Sequence, residues 1–247
     1  MAKNIKEEVI DLGNGVELTM VLIPKGKFLM GSPDDEANRE DDEMQHKVTI
    51  SKPFYMGIFE VTQEQWELLM GNNPSPSEFK GKKVPVTDIT WDECQNFIKN
   101  LNKKTKKKFR LPTEAEWEYC CRAGTTTSYY FGDLINPSNA NYNDPEKDED
   151  SEPLPVGRNN KPNSFGLCDM HGNVLEWCND WWDWYENYPD EDFIDPQGPS
   201  EGDYRIFRGG SCFENPSELR SAYRGNGVPS DRHGDLGFRL AMTITTK

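Results

Sequence analysis

The chain has 247 residues, 28 of them Lys or Arg and 43 Asp or Glu, for a formal charge of −15. This length suffices for one large domain, residues 1–247, with a sizeable core. So acidic a composition argues against nucleic acid or an anionic membrane as the partner.

No apolar run approaches the roughly 18 residues that span a bilayer. The opening Met1-Ala-Lys-Asn-Ile-Lys runs into Glu7-Glu8-Val9-Ile10-Asp11, which does not continue as a signal peptide. A cytoplasmic protein is expected, or a cell-surface one if a leader has been removed. Val16, Leu18, Met20 and Leu22 alternate, and Pro24-Lys-Gly makes a turn before Phe28-Leu-Met. The spacing predicts a hairpin over Val16–Ser32. Asp34–Glu43 reads as an acidic loop with solvated charges. A second strand pair is expected at Val48-Thr-Ile and Phe54–Phe59.

Three helix starts follow, each with a threonine three residues before Glu or Gln: Thr62/Gln65, Thr90/Glu93 and Thr113/Glu116. Each is a capping box, in which two side chains satisfy the free amides of a first turn. Ile89 and Cys94 stand where a hydrophobic staple would, and Phe97, Ile98 and Leu101 continue that apolar face. The basic run Lys103–Lys108 opposes the helix dipole, and Gly71 and Gly124 are stops for the first and third helices. None of the six cysteines forms a CxxC pair, so zinc ribbons and thioredoxin-type redox sites are excluded. Cys94 and Cys120 read as buried thiols, and His46, His171 and His233 as ordinary hydrogen-bonding residues.

Several motifs recur in order: Phe59-Glu-Val-Thr-Gln-Glu-Gln-Trp, Arg110-Leu-Pro-Thr-Glu-Ala-Glu-Trp-Glu-Tyr, Gly166-Leu-Cys-Asp-Met-His-Gly-Asn-Val-Leu-Glu-Trp, Arg208-Gly-Gly-Ser and Gly237-Phe-Arg-Leu. From about Val21 to Met242 the chain resembles the formylglycine-generating enzyme family, the sulfatase-modifying-factor domain. The resemblance implies an α+β, C-type lectin-like fold with much irregular loop. It also implies structural calcium. One site maps to Asp169 and Glu176 with the backbone carbonyls of Gly172 and Val174. A second begins at Asn141 and Tyr142, with Asp148 and Asp150 expected to complete it. The Asn- and Asp-rich stretch 132–163 suits such oxygen ligands. Trp177, Trp181, Trp182, Trp184, Tyr185 and Tyr188 are read as an aromatic core beneath the first loop.

In the family pattern two copper-binding cysteines follow the serine of Arg-Gly-Gly-Ser by three and eight residues. Here those positions hold Glu214 and Leu219, which offer no thiolate for a soft cuprous ion. Copper and the oxidase activity are therefore not expected. The segment 208–240 also resembles the variable region of proteins diversified by retroelements. Arg208, Arg220, Arg224, Arg232 and Arg239 read as scaffold. Between the anchors, Cys212, Phe213, Asn215, Ser217, Tyr223, Asn226, Val228, Ser230, Asp231, His233 and Asp235 share no period. All of them obey a restriction to codons ending in C, whereas Glu214 and Glu218 do not. They are expected to form one exposed face for a macromolecular ligand, a protein or alternatively a glycan. The competing expectation is an enzyme using the same residues around a pocket.

Overall fold

The computed structural model describes residues 5–144, 151–158, 161–183 and 192–244. Its strands and helices run in the order β1 (Glu7–Gly13), β2 (Val16–Ile23), β3 (Gly26–Met30), β4 (His46–Ile50), β5 (Phe54–Gly57), α1 (Gln63–Met70), α2 (Trp91–Thr105), β6 (Lys108–Arg110) and α3 (Glu114–Arg122). Later in the chain come β7 (Leu175–Trp181), β8 (Phe193–Ile194), β9 (Arg205–Arg208), β10 (Gly225–Gly227), β11 (Leu236–Phe238) and β12 (Ala241–Thr243). They form a five-stranded sheet β1-β2-β5-β12-β6, a four-stranded sheet β10-β9-β7-β11 and a three-stranded sheet β3-β4-β8.

The hairpin expected over Val16–Ser32 does not form. Both of its strands exist, but β2 pairs with β1 and β5, while β3 pairs with β4. The reason lies in the burial of β2 on both faces. Leu18 and Met20 pack toward α1 and α2, and Val21 and Ile23 toward α3, so β2 belongs inside a sheet covered on each side. Its hairpin partner is β1, joined through Gly13, Asn14 and Gly15 at φ 92, 58 and 76. The strands at Val48-Thr-Ile and Phe54–Gly57 are likewise not a pair, since β4 and β5 lie in different sheets.

The three helices start where the threonines predict. The Thr62, Thr90 and Thr113 amides donate to Gln65 Oε1, Glu93 Oε2 and Glu116 Oε2 at 2.9, 2.9 and 3.0 Å. Ile89 and Cys94 are both fully buried, as a staple requires. Gly71 ends α1 in the left-handed region, whereas α3 is ended by Ala123 at φ 45 rather than by Gly124. One core lies between the five-stranded sheet and α1/α2, where the Trp66 and Phe97 rings stack at 5.4 Å. The other lies against α3 around Trp117, Cys120 and Met170. No helix among the described residues is long and apolar enough to cross a membrane.

Trp177 is the core tryptophan, its indole N–H donating to the Ile89 carbonyl at 3.2 Å. Trp181 is not core: with Trp91 it sandwiches the Arg205 guanidinium, 3.4 and 3.8 Å from the two ring centroids. A cation held between two faces satisfies the ring quadrupoles without burying either indole fully. Trp182 packs against the second core, and Trp184, Tyr185 and Tyr188 lie outside the described residues.

Candidate functional site

In the four-stranded sheet β9 runs antiparallel to β7 and β10, and β11 runs parallel to β7. The end of β9 and the starts of β7, β10 and β11 therefore share one end of the sheet. Residues 209–224 loop out from that end, and 228–235 cross from β10 on one edge to β11 on the other. Gly209 and Gly210 turn the chain off β9 at φ 98 and 70. A Cβ on Gly210 would stand 2.7 Å from Leu219 Cδ1, so this close approach requires glycine. A short 3₁₀ turn, Pro216–Leu219, then drops the Leu219 side chain inward among Tyr129, Ala140 and Tyr142.

Four of the five arginines expected as scaffold, Arg208, Arg220, Arg224 and Arg239, are buried and bonded, and their partners correct the reading of the acidic loop. Arg220 is 2 % exposed and binds Glu43 through two bonds of 2.6 and 2.7 Å, Glu36 at 2.9 Å and the Asn38 carbonyl at 2.6 Å. Arg224 binds Glu114 at 2.7 Å and the Asp42 carbonyl at 3.1 Å. Glu43 and Asp42 are thus buried rather than solvated, because a buried guanidinium demands carboxylates. Arg208 pairs with Glu118 and holds the Ser221, Ala222 and Tyr223 carbonyls. Arg239 pairs with Glu176. Arg232 differs: it is exposed and tied to Glu93 and the Asp88 carbonyl.

Among the expected ligand-binding residues, Phe213, Asn215, Asn226, Ser230 and His233 are exposed, and Ser217, Tyr223, Val228, Asp231 and Asp235 are half-buried. Cys212 must be withdrawn from the expected face. It is fully buried, and its amide donates to the Asn173 carbonyl at 3.0 Å. Asp231 shapes its loop, Oδ2 accepting the Val228 amide at 2.9 Å. Phe213 leans on Phe79 with ring centroids 5.9 Å apart, and Gly234 lies against Pro76 and Phe79. Sequence reasoning missed that the 76–79 turn packs beside this segment, since Pro74, Ser75 and Pro76 interrupt any period.

Against the Leu219 carbonyl sits a Cys–His pair that sequence reasoning also missed, its members being 50 residues apart. His171 Nε2 accepts the Tyr130 amide at 3.1 Å, so the proton lies on Nδ1, which donates to the Leu219 carbonyl at 2.7 Å. Cys121 Sγ is 3.6 Å from Nε2. Burial lowers the His171 pKa to about 4 and raises that of Cys121 to about 12, so the pair is neutral and offers no thiolate. Burial likewise pushes the Cys212 thiol up. All six cysteines are free and buried.

At the expected first metal loop, Asp169 takes φ 55 and its Oδ2 accepts the Gly157 amide at 2.6 Å. Both oxygens of Glu176 are engaged, by Arg239 and by the Trp117 indole N–H at 2.7 Å. The neighbouring Glu60 binds Asn173 through Oε1 at 3.0 Å, but its buried Oε2 has no hydrogen-bond partner. Burial, with these carboxylates close together around one guanidinium, raises both Glu60 and Asp169. The surplus of buried negative charge and the hard oxygen donors fit a dication. Among the described residues no three His, Cys, Asp or Glu side chains converge as a metal cage, so the Gly172 and Val174 carbonyls would have to complete the shell. At the second loop Asn141 donates to the Glu152 carbonyl at 2.8 Å, and the Tyr142 carbonyl accepts from Ser151 at 3.1 Å. Asp148 and Asp150 lie outside the described residues.

The sulfatase-modifying factor enzyme 1-like domain profile matches residues 14–244. The chain belongs to this family. Its α+β architecture is the C-type lectin-like fold of the formylglycine-generating type. Treponema denticola variable protein 1 superimposes with a TM-score of 0.83 at 28% identity, covering 96% of this chain and 99% of that one. PvdO from Pseudomonas aeruginosa gives a TM-score of 0.82 at 29% identity, covering 96% and 98%. The serine/threonine-protein kinase pkn1 of Chlamydia caviae is 33% identical over 252 residues, 91% of this chain and 38% of that protein. This chain thus spans about two fifths of the chlamydial relatives. Formylglycine-generating enzyme of Mus musculus is 26% identical over 286 residues, 90% of this chain and 74% of that protein.

Proposed function

We propose that this family member is a non-catalytic ligand-binding protein that displays residues 208–240 as its binding surface and is diversified there by a retroelement. The observation that carries the reading is the division of labour within that segment. Arg208, Leu219, Arg220, Arg224 and Arg239 are buried and held, while Phe213, Asn215, Asn226, Ser230 and His233 stand in solvent. A sheet end that pins its loops from below can vary the tips without altering the core. The likeness to the treponemal variable protein supports the same reading.

The rival reading is an oxidoreductase of the formylglycine-generating type, which needs copper thiolates. Leu219 is sealed in an apolar cluster, Glu214 is a carboxylate, and the nearest thiol in sequence, Cys212, is buried and protonated. The purified protein, supplied with copper, oxygen and a sulfatase-type cysteine peptide, is expected to leave the peptide unchanged. Conversion of that cysteine would refute the reading. Diversification has its own check in the DNA: a nearby template repeat that differs only at adenines, beside a reverse transcriptase gene. Calcium at Asp169 and the Gly172 and Val174 carbonyls, with Glu60 and Glu176 behind them, would neutralise the buried carboxylates and fix the loop under the face.

A further inference from the structure

Three segments meet beside Phe213: the loop 209–224, the crossing 228–235 and the turn 76–79. Phe213 is 42 % exposed and leans on the half-buried Phe79, and neither ring belongs to a core cluster. Glu214 follows Phe213 in the chain and feels the charges of Glu218 and Asp235, and all three carboxylates are half-buried. Glu214 Oε2 accepts the Ser211 amide at 2.9 Å, and Glu218 Oε2 accepts the Asn215 amide at 3.0 Å. Among the described residues none of the three carboxylates is in an ion pair, whereas Arg208, Arg220 and Arg224 are each committed to carboxylates below. Arg232, the exposed cation of the crossing, is committed to Glu93. Burial first, then the neighbouring Glu218 and Asp235, hold the Glu214 pKa up at about 7. The crowding continues past Tyr223, which feels Glu40 and Asp42 as well as Glu214 and Glu218.

We propose that this aromatic pair and its ring of unpaired carboxylates dock a basic protein segment, one that sets Lys or Arg side chains around an apolar or aromatic residue. The proposal rests on the binding-face reading and names the partner's chemistry. An apolar anchor at the centre supplies contact area, and the carboxylate ring rewards cations and repels acidic competitors. An arginine-bearing segment fits best, because its planar fork can meet a carboxylate through two bonds while its face lies on a phenylalanine ring.

The test uses the whole chain and two fluorescent peptides, one alternating Arg with Leu and Phe, the other its counterpart with Glu in place of Arg. Binding is read by anisotropy near physiological salt, where long-range attraction to a −15 protein is largely screened. The basic peptide is expected to bind and the acidic one not. The triple variant Glu214→Gln, Glu218→Gln, Asp235→Asn and the variant Phe213→Ala should each weaken binding about tenfold or more. A control with the same change of charge at exposed remote sites, Glu7→Gln, Glu17→Gln, Glu201→Gln, should stay within about threefold. Melting curves confirm that every variant folds. Equal weakening by both triples, or no binding of the basic peptide, overturns the inference. Binding of the acidic peptide that Phe213→Ala abolishes would overturn it while leaving the binding-face reading standing. Turnover of a sulfatase-type cysteine peptide would instead remove that reading.

Discussion

Arg220 and Glu43, 177 residues apart in sequence, close a two-bond fork, Nη1 to Oε2 at 2.7 Å and Nη2 to Oε1 at 2.6 Å, with both side chains almost wholly buried. The pair clamps the acidic loop 34–43 to the base of the 209–224 loop. Glu36 adds a bond to the same guanidinium at 2.9 Å and the Asn38 carbonyl another at 2.6 Å, so Arg220 holds the loop at three residues.

This clamp predicts a sharp contrast between arginines of one segment. Arg220→Ala leaves Glu43 buried without its cation, which costs about 3–5 kcal/mol. Arg232→Ala removes an exposed pair and should cost no more than about 1 kcal/mol. Urea midpoints of the two variants measure the difference. Equal midpoints would mean that the buried fork contributes nothing to the scaffold.

A second prediction concerns acid. His171 has a folded pKa of about 4, lowered by burial from the ordinary 6.5. Between those values the unfolded chain binds the proton and the folded chain does not. Stability tied to neutral His171 is therefore fully present above pH 6.5 and declines as pH falls toward 4, by on the order of 3 kcal/mol. Denaturant midpoints between pH 4 and 7 should slope accordingly, and His171→Gln should flatten that slope while lowering the plateau. A wild-type slope retained in the variant would assign the acid sensitivity elsewhere.

Asp180 carries the opposite sign. Burial first, then Glu114, raise its pKa from 3.8 to about 8. The folded chain holds this proton where the unfolded chain has lost it. Stability tied to protonated Asp180 is present below pH 3.8 and is lost as pH rises through about 8. Asp180→Asn keeps an acceptor for the Glu114 amide, now 3.0 Å from Oδ2, and should stabilise the protein above pH 8. Midpoints at pH 9 that match the wild type would show that the carboxyl ionises there without strain.

The helix starts were legible because a capping box is local: a threonine and a carboxylate or amide three residues on settle it between themselves. Strand partners were not. Val16–Ile23 alternates as a hairpin strand would, yet Val21 and Ile23 also need cover, and only the whole fold says from what. The acidic loop misled for the same reason, since Glu43 is buried by an arginine 177 residues away. Within the segment, the exposure of Phe213, Asn215, Ser230 and His233 was readable from their break in period. Cys212 was not, because the codon restriction on residue type is blind to which way a side chain points.

Calcium leads to a thermal prediction. If a dication neutralises the carboxylates around Asp169, removing it with a chelator should lower the melting temperature. Linkage at a hundredfold excess over Kd is worth about 2.7 kcal/mol. Asp169→Asn should abolish the chelator's effect. It retains an acceptor for the Gly157 amide, so the variant tests charge rather than the turn. A wild-type melting curve indifferent to the chelator would remove calcium from the account.

The segment's own alternation gives the last prediction. Phe213 and Leu219 lie six positions apart in a single loop, yet one is 42 % exposed and the other fully buried under Gly210. Leu219→Ala removes the anchor from the cluster of Tyr129, Ala140 and Tyr142 and should cost about 2–5 kcal/mol. It would also free the strand-end turn that holds the His171 ring through the Leu219 carbonyl. Phe213→Ala removes a partly exposed ring that leans on Phe79 and should shift stability by about 0.5 kcal/mol. Urea denaturation of both variants checks the pair, and hydrogen exchange at the Tyr130 amide reports whether the His171 contact survives. Comparable losses in the two variants would mean that Phe213 belongs to the core, and the loop would then have no tip to spare for a ligand.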